Sequence, residues 1–231
     1  MKAAAVLAAA AVAGAAWAVR GRSSAVFGPS VWRGPGGRKS LALTFDDGPS
    51  PGTIEILRVL KIYKVKATFF ECGLNTLRHP EIAAEVAQAG HEIGNHSHTH
   101  PNFALRDPGF IEHEFSRAQA SIAEATGVVP TLLRAPYGVR WFGFRQMQAK
   151  LGLQGVMWSI IGLDWKLPAS AIASRISRVR PGDIICLHDG RGITENPDIS
   201  RTVEAVRQIV PALLETGYHF ETVPLLLCPT K

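Results

Sequence analysis

Short continuous apolar runs alternate along this chain with stretches in which apolar residues recur every three or four positions. From residue 40 onward, the runs at 41–45, 67–70, 92–94, 131–134, 156–161, 183–188 and 218–223 read as strands. Between them, 51–63 carries Ile54, Leu57, Val59, Leu60 and Ile62 on a helical face, and 81–89 predicts a helix stopped by Gly90. Residues 108–126 place Ile111, Phe115, Ala118 and Ile122 on one side of a long helix that ends at Gly127. Further helices are predicted over 141–151, 168–179 and 199–215. Seven strands with intervening helices make an α/β protein. Strands that are apolar throughout suit parallel neighbours covered on both faces. Polar signatures follow several of these strands, and a closed or nearly closed barrel brings such strand ends to one mouth. A doubly wound open sheet is the alternative and offers fewer convergent ends.

The N-terminus follows a different pattern. Lys2 precedes an uncharged, alanine-rich run, and Ala16-Trp17-Ala18 fits a small-x-small cleavage site. Residues 1–19 therefore read as an export signal, with an uncleaved anchor as the alternative; so short an alanine-rich run makes a poor span. Either way, the remaining chain is expected outside the cytoplasm. Residues 20–39 hold seven of the Gly and Pro residues and read as a linker or arm, leaving 40–231 as one catalytic domain. The net charge of +6 is spread without a dense basic block, which suits an anionic surface such as a cell envelope and argues against nucleic acid as substrate. No phosphate-binding glycine loop occurs, so no nucleotide is expected. Cys72, Cys186 and Cys228 form no metal-type spacing; the first two read as small buried hydrophobes, and a disulfide pair cannot be chosen from sequence.

Five polar signatures supply the candidate chemistry: TFDDGP at 44–49, NHSHTH at 95–100, RAPYG at 134–138, LDW at 163–165 and CLHDG at 186–190. Asp46 and Asp47 suit a pair in which one carboxylate binds a metal and the other takes a proton from water, or an acidic turn before the next helix. His96 and His100 are four apart, a spacing that shares one helical face and chelates one ion, with Asn95 or Ser97 as a cap. Two imidazoles and a carboxylate leave an open position, the catalytic pattern for a bound metal. His98 is expected to point elsewhere. His188, beside a carboxylate such as Asp164, suits a general acid, and Arg134 suits holding Asp46 in place or an ordinary ion pair. Tyr137 and Trp165 offer flat faces for a sugar ring or plain rim packing, while Trp158, Phe69 and Phe70 read as core.

At these residues the sequence resembles the NodB-homology polysaccharide deacetylases, the fourth family of carbohydrate esterases. The likeness covers about residues 40–223. It implies a distorted, incomplete (β/α) barrel with about seven parallel strands, acting as a monomer on a glycan. It also implies one divalent metal, zinc first with cobalt or nickel as alternatives. Transferred residue by residue, the resemblance makes Asp46 the catalytic base and Asp47, His96 and His100 the metal ligands. Arg134 would orient the base, the Tyr137 backbone N–H would hold the oxyanion, and Asp164 would tune the acid His188. Trp165 and Leu187 would line the acetyl pocket. One position departs: members often carry an Asp where this chain has Ile161. The implied reaction is metal-dependent hydrolysis of N-acetyl groups on an amino-sugar polymer or oligomer, peptidoglycan or chitin-like. The same chemistry on a xylan acetyl ester or a non-sugar amide, and a silent glycan-binding protein, are the rivals.

Overall fold

A computed structural model describes residues 2–228. Nine strands form one sheet: β1 (Ser30–Val31), β2 (Ser40–Gly48), β3 (Thr68–Glu71), β4 (Glu92–Asn95), β5 (Leu132–Leu133), β6 (Gln154–Val156), β7 (Ile160–Ile161), β8 (Ile184–His188) and β9 (His219–Phe220). Their order is β1-β6-β5-β4-β3-β2-β8-β7, with β9 paired to β2 beside that path, and every pairing is parallel. The helices are α1 (Lys2–Arg20), α2 (Thr53–Ile62), α3 (Gly73–Arg78), α4 (Pro80–Gln88), α5 (Pro108–Thr126), α6 (Phe144–Leu151), α7 (Ala169–Ile176), α8 (Ser200–Glu215) and α9 (Val223–Leu227).

β6 and β7 are near neighbours in sequence yet lie near opposite ends of the sheet path. The sheet must therefore curl until its two sides approach, which gives the incomplete barrel expected from the sequence. β2 sits at its middle and is buried throughout. Its apolar side packs into a core with Phe45 and Phe69 stacked at 4.9 Å, covered by Ile56, Leu60, Ile172, Val206 and Val210 from α2, α7 and α8. Each such fully buried side chain contributes about 1.5–3 kcal/mol relative to exposure.

Three expectations differ from the structure. The apolar run 156–161 is two strands, because the carbonyls of Val156 and Met157 accept hydrogen bonds from the Arg134 guanidinium. The chain then crosses the seam, where Met157 N–H donates to Val31 O and Ser159 N–H to Ile184 O. The stretch 20–39 is no free linker: β1 pairs with β6, and Arg33 bridges to Asp183 with a 2.7 Å ion pair, filling much of the gap in the barrel. The run 218–223 is only the two-residue β9 before the chain turns into α9, and the short α3 had no apolar period to announce it. Among the described residues no helix is long and apolar enough to cross a membrane. The end of α1 is clasped by the buried Arg140: its N–H donates to Val19 O, and its guanidinium to Gly21 O and Ser24 O.

Candidate active site

Register brings the candidate acid and base together. β2 and β8 align Asp46 with His188, and β2 and β3 align Asp46 with Phe70, so both titratable side chains leave the sheet at its C-terminal rim. The segments that follow are strained. Asp47, Ser97, His100, Tyr137 and Leu163 all have positive φ, five of the seven such non-glycine residues among those described. Left-handed backbone costs on the order of 1 kcal/mol or more at each, and such strain clusters at functional sites. Gly190 is required here, since a Cβ at that position would stand 2.2 Å from the Asp47 carbonyl oxygen.

Asp47, His96 and His100 converge. The Nε2 atoms of His96 and His100 lie 3.3 and 3.0 Å from Asp47 Oδ1, yet that buried oxygen has no hydrogen-bond partner among the described residues. Its mate Oδ2 accepts from the Gly192 N–H at 2.9 Å. His96 Nδ1 lies 2.8 Å from the Arg134 carbonyl, an acceptor that fixes the proton on Nδ1 and leaves the Nε2 lone pair facing Asp47. Burial raises the Asp47 pKa, but the imidazoles of His100 and His96 outweigh it and hold the carboxyl well below its usual range. An orphaned buried carboxylate oxygen facing two imidazole nitrogens fits a divalent cation.

The two histidines lie in a loop, and no helical turn begins at them. Residues 96–100 form a loop in which Ser97 N–H donates to Asn95 Oδ1 and His100 N–H to Ser97 Oγ, so both side chains cap a turn. Glu114 of α5 tethers this loop: its carboxylate accepts from the N–H groups of His98 and Thr99 and from the Thr99 hydroxyl, at 2.8–3.1 Å. His98 is buried behind the loop. Glu114 was missed in sequence, although a carboxylate on the apolar face of α5, beside Ile111 and Phe115, was the available signal. Glu114→Ala is expected to lower stability by about 2–3 kcal/mol through the stranded N–H groups and metal affinity about tenfold to a hundredfold. Thermal melting with metal titration checks this; an unchanged melting point and affinity would remove Glu114 as the tether.

Asp46 is held from two sides. Arg134, fully buried, donates Nη1 to Asp46 Oδ1 at 2.6 Å and to Thr44 Oγ1 at 2.7 Å, and its guanidinium packs 4.1 Å from the Phe70 ring centroid. The Cys186 thiol donates to Asp46 Oδ2 at 3.3 Å, a partner that reading Cys186 as a plain hydrophobe had missed. Asp46, Cys186 and His188 form a second cluster of possible ligands. It is the poorer metal site, because burial and then Asp46 push the Cys186 thiol well above its usual pKa and so disfavour the thiolate that a metal takes.

That nitrogen lies 2.8 Å from Asp164 Oδ1, while Asp164 Oδ2 accepts from the His188 N–H and the Thr202 hydroxyl. Burial lowers the His188 pKa, but the bond and charge of Asp164, aided by Asp47 and Asp46, overcome it and lift the imidazole to about 9. The sign follows: the imidazolium is favoured in the fold, and both its proton-donating capacity and its contribution to stability fade as pH rises through about 9. Asp164→Asn should move the alkaline limb of the kcat/KM profile from about 9 toward the ordinary 6.5. A limb that stays in place would separate it from the His188 titration.

The cavity over these groups measures about 430 Å³ and is lined by Asp46, Asp47, His96, His100 and His188 together with Tyr137, Trp158, Ile161, Trp165 and Arg20. Trp165 stands edge-on to His188 at 5.1 Å. The Tyr137 N–H makes no hydrogen bond among the described residues, and its side chain is exposed. Trp158 is half-buried in the cavity wall instead of in the core, whereas Phe69 and Phe70 are buried as expected. Leu187 is a correction: it does not line the cavity. Successive strand residues face opposite ways, so Cys186 and His188 point inward and Leu187 enters the core beneath, close to Gly162. Arg134 and Asp164 also lie behind the cavity wall, bonded to Asp46 and His188 that line it. Beneath the site, Asp189 and Glu71 form a buried acidic pair unforeseen in sequence. Burial raises both, to about 7 and about 8, with Asp189 opposing ionisation of Glu71. All three cysteines are free thiols.

The family model for polysaccharide deacetylase matches residues 33–156. A chitooligosaccharide deacetylase from Bradyrhizobium sp. (strain ANU 289) is 36% identical over 200 residues, covering 82% of this chain and 91% of the relative. The crystal structure of the Bc1960 peptidoglycan N-acetylglucosamine deacetylase superposes with a TM-score of 0.80 at 32% identity, covering 87% of this chain and 93% of that one. BA3943, a CE4 family pseudoenzyme from Bacillus anthracis, superposes with a TM-score of 0.79 at 26% identity over 88% of this chain and 70% of its own.

Proposed function

This chain belongs to the polysaccharide deacetylase family, and from that premise we propose that it is a metal-dependent hydrolase that removes N-acetyl groups from an amino-sugar polymer or oligomer and releases acetate. The observation that carries the proposal is the complete pairing of an open Asp47–His96–His100 triad with an Arg134-held Asp46 and an Asp164-held His188 around one cavity. A glycan-binding protein needs no such acid and base.

Asp47, His96 and His100 would hold a divalent cation, zinc first, which when bound would supply Lewis acidity to the acetyl carbonyl and to water. Asp46, oriented by Arg134 and the Cys186 thiol, accepts the proton of the attacking water. The unpaired Tyr137 N–H donates to the oxygen on which charge develops. His188, an imidazolium below about pH 9, gives a proton to the departing amine nitrogen. Trp165, Trp158 and Ile161 wall the space beside these groups and exclude water from the acetyl methyl. The named activities of the relatives favour chitin-like oligomers and peptidoglycan as substrates.

Work outside the cytoplasm fits the N-terminal segment. Cleavage after Ala18 would keep the Arg140 clasp on Val19, Gly21 and Ser24. The test is acetate release from N-acetylglucosamine oligomers and from peptidoglycan, with chelated protein and with zinc or cobalt restored. Release that disappears on chelation and returns with metal is expected. Release insensitive to chelation would reject metal dependence, and none from either glycan, with metal bound and the fold intact, would reject the substrate class.

A further inference from the structure

A second depression of about 720 Å³ adjoins the catalytic cavity and shares Trp158 and Ile161 with it. Its wall carries Arg22, Arg175 and Arg178 and no acidic residue. Arg20 stands at the catalytic side of the junction, with Nη2 3.4 Å from the Tyr137 carbonyl. Elsewhere on the surface Arg33, Arg38, Arg78 and Arg207 rest on carboxylates. Arg20, Arg22, Arg175 and Arg178 make no such ion pair among the described residues. Arg22 donates to the Ser159 carbonyl, Arg175 uses only Nε, on the Ile161 carbonyl at 2.7 Å, and Arg178 has no ion pair.

Two features make this a subsite and not a scatter of charge. Arg175 lies in the last turn of α7 and Arg178 in the turn that follows it, both on the wall of the depression, and Arg22 reaches the same wall from the chain after α1. The backbone bonds of Arg22 and Arg175 anchor their side chains while leaving guanidinium N–H groups for a ligand, and a guanidinium fork matches a carboxylate. Like charges gathered in a concave wall with no counter-charge raise the local concentration of anions. The apolar Ile161 at the junction adds no negative charge to oppose them.

We propose that this depression is an anion subsite, and that the preferred substrate is an acidic amino-sugar glycan. Its carboxylate would lie on the sugar beside the one whose acetamido group enters the catalytic cavity. The inference rests on the deacetylase reading for its substrate class but is tested by binding alone. The probe is a tetrasaccharide of alternating N-acetylglucosamine and lactyl-substituted N-acetylglucosamine, compared with the same molecule methyl-esterified at its carboxylates. Equilibrium titration of the full chain is expected to give about tenfold tighter binding of the acid than of the ester at low salt, with the preference shrinking as salt rises.

The R22Q/R175Q/R178Q protein should bind acid and ester about equally. R178E, at an exposed side chain with no ion pair to break, should sharply reduce the preference even if the triple variant folds poorly. Equal affinities in the parent protein, or a preference that survives both variants, overturns the proposal. So does full displacement of the acid by anionic phospholipid vesicles that leave ester binding untouched, which would assign the arginines to a membrane surface. Acetate release is read separately: a binding preference without any release would sink the deacetylase reading and leave the anion subsite standing.

Discussion

His96→Ala is expected to lose its metal and at least about a thousandfold of kcat/KM, roughly 4 kcal/mol of barrier. The size follows from where His96 stands. Its Nε2 faces the orphaned Asp47 Oδ1, and its Nδ1 is fixed by the Arg134 carbonyl. Truncation therefore removes one ligand of three and also unseats the backbone of the residue whose side chain holds Asp46. A bound metal contributes several kcal/mol of charge stabilisation in the transition state, so a site too weak to hold it should lose most of the rate. Metal analysis and steady-state kinetics on one preparation are the check, with circular dichroism to show that the fold persists. Full metal content with parent turnover would refute the ligand set. Full metal content with lost turnover would instead give His96 a positioning role through Arg134.

The outline of this site was legible because its chemistry sits in short segments after apolar strands. Asp46, His188 and the residues around Arg134 could be placed at strand ends from the period of the chain alone, and the curled sheet brings those ends together. What was not legible depends on distances that no period encodes. Glu114 drew no reading and Cys186 read as a small buried hydrophobe until the fold set them against the His98–Thr99 backbone and Asp46. The role of Leu187 came from the family likeness and fails on strand alternation, which points it away from the cavity. The i, i+4 spacing brought His96 and His100 together without a helical turn, for a related reason. Positive φ at Ser97 and His100 shapes the loop, and sequence spacing is silent about left-handed backbone at residues other than glycine or asparagine. The pairing of the Gly- and Pro-rich arm was not legible because a two-residue strand is too short to show any pattern, and only its ladder with β6 reveals it.

Asp46→Asn is expected to keep its metal and lose about a hundredfold to ten-thousandfold in kcat, the range associated with a positioned general base. The amide preserves shape and an oxygen for Arg134 Nη1, so the 2.6 Å contact and the fold should survive, while the capacity to take a proton from water is gone. KM should change little, since Asp46 is buried at the base of the cavity and the walls that meet the glycan are untouched. The same variant decides between the two possible ligand clusters. If Asp46, Cys186 and His188 held the ion, removing one carboxylate of that group would empty the site. If Asp47, His96 and His100 hold it, metal content stays at the parent level while turnover falls. Atomic absorption on the purified variant, paired with acetate release under saturating substrate, separates these cases. Parent-level turnover would remove Asp46 as the base, and metal loss would move the ion to the neighbouring cluster. Retained metal with collapsed kcat is the outcome required by an acid–base pair working across the β2–β8 register, with Asp46 and His188 opposite each other at the rim.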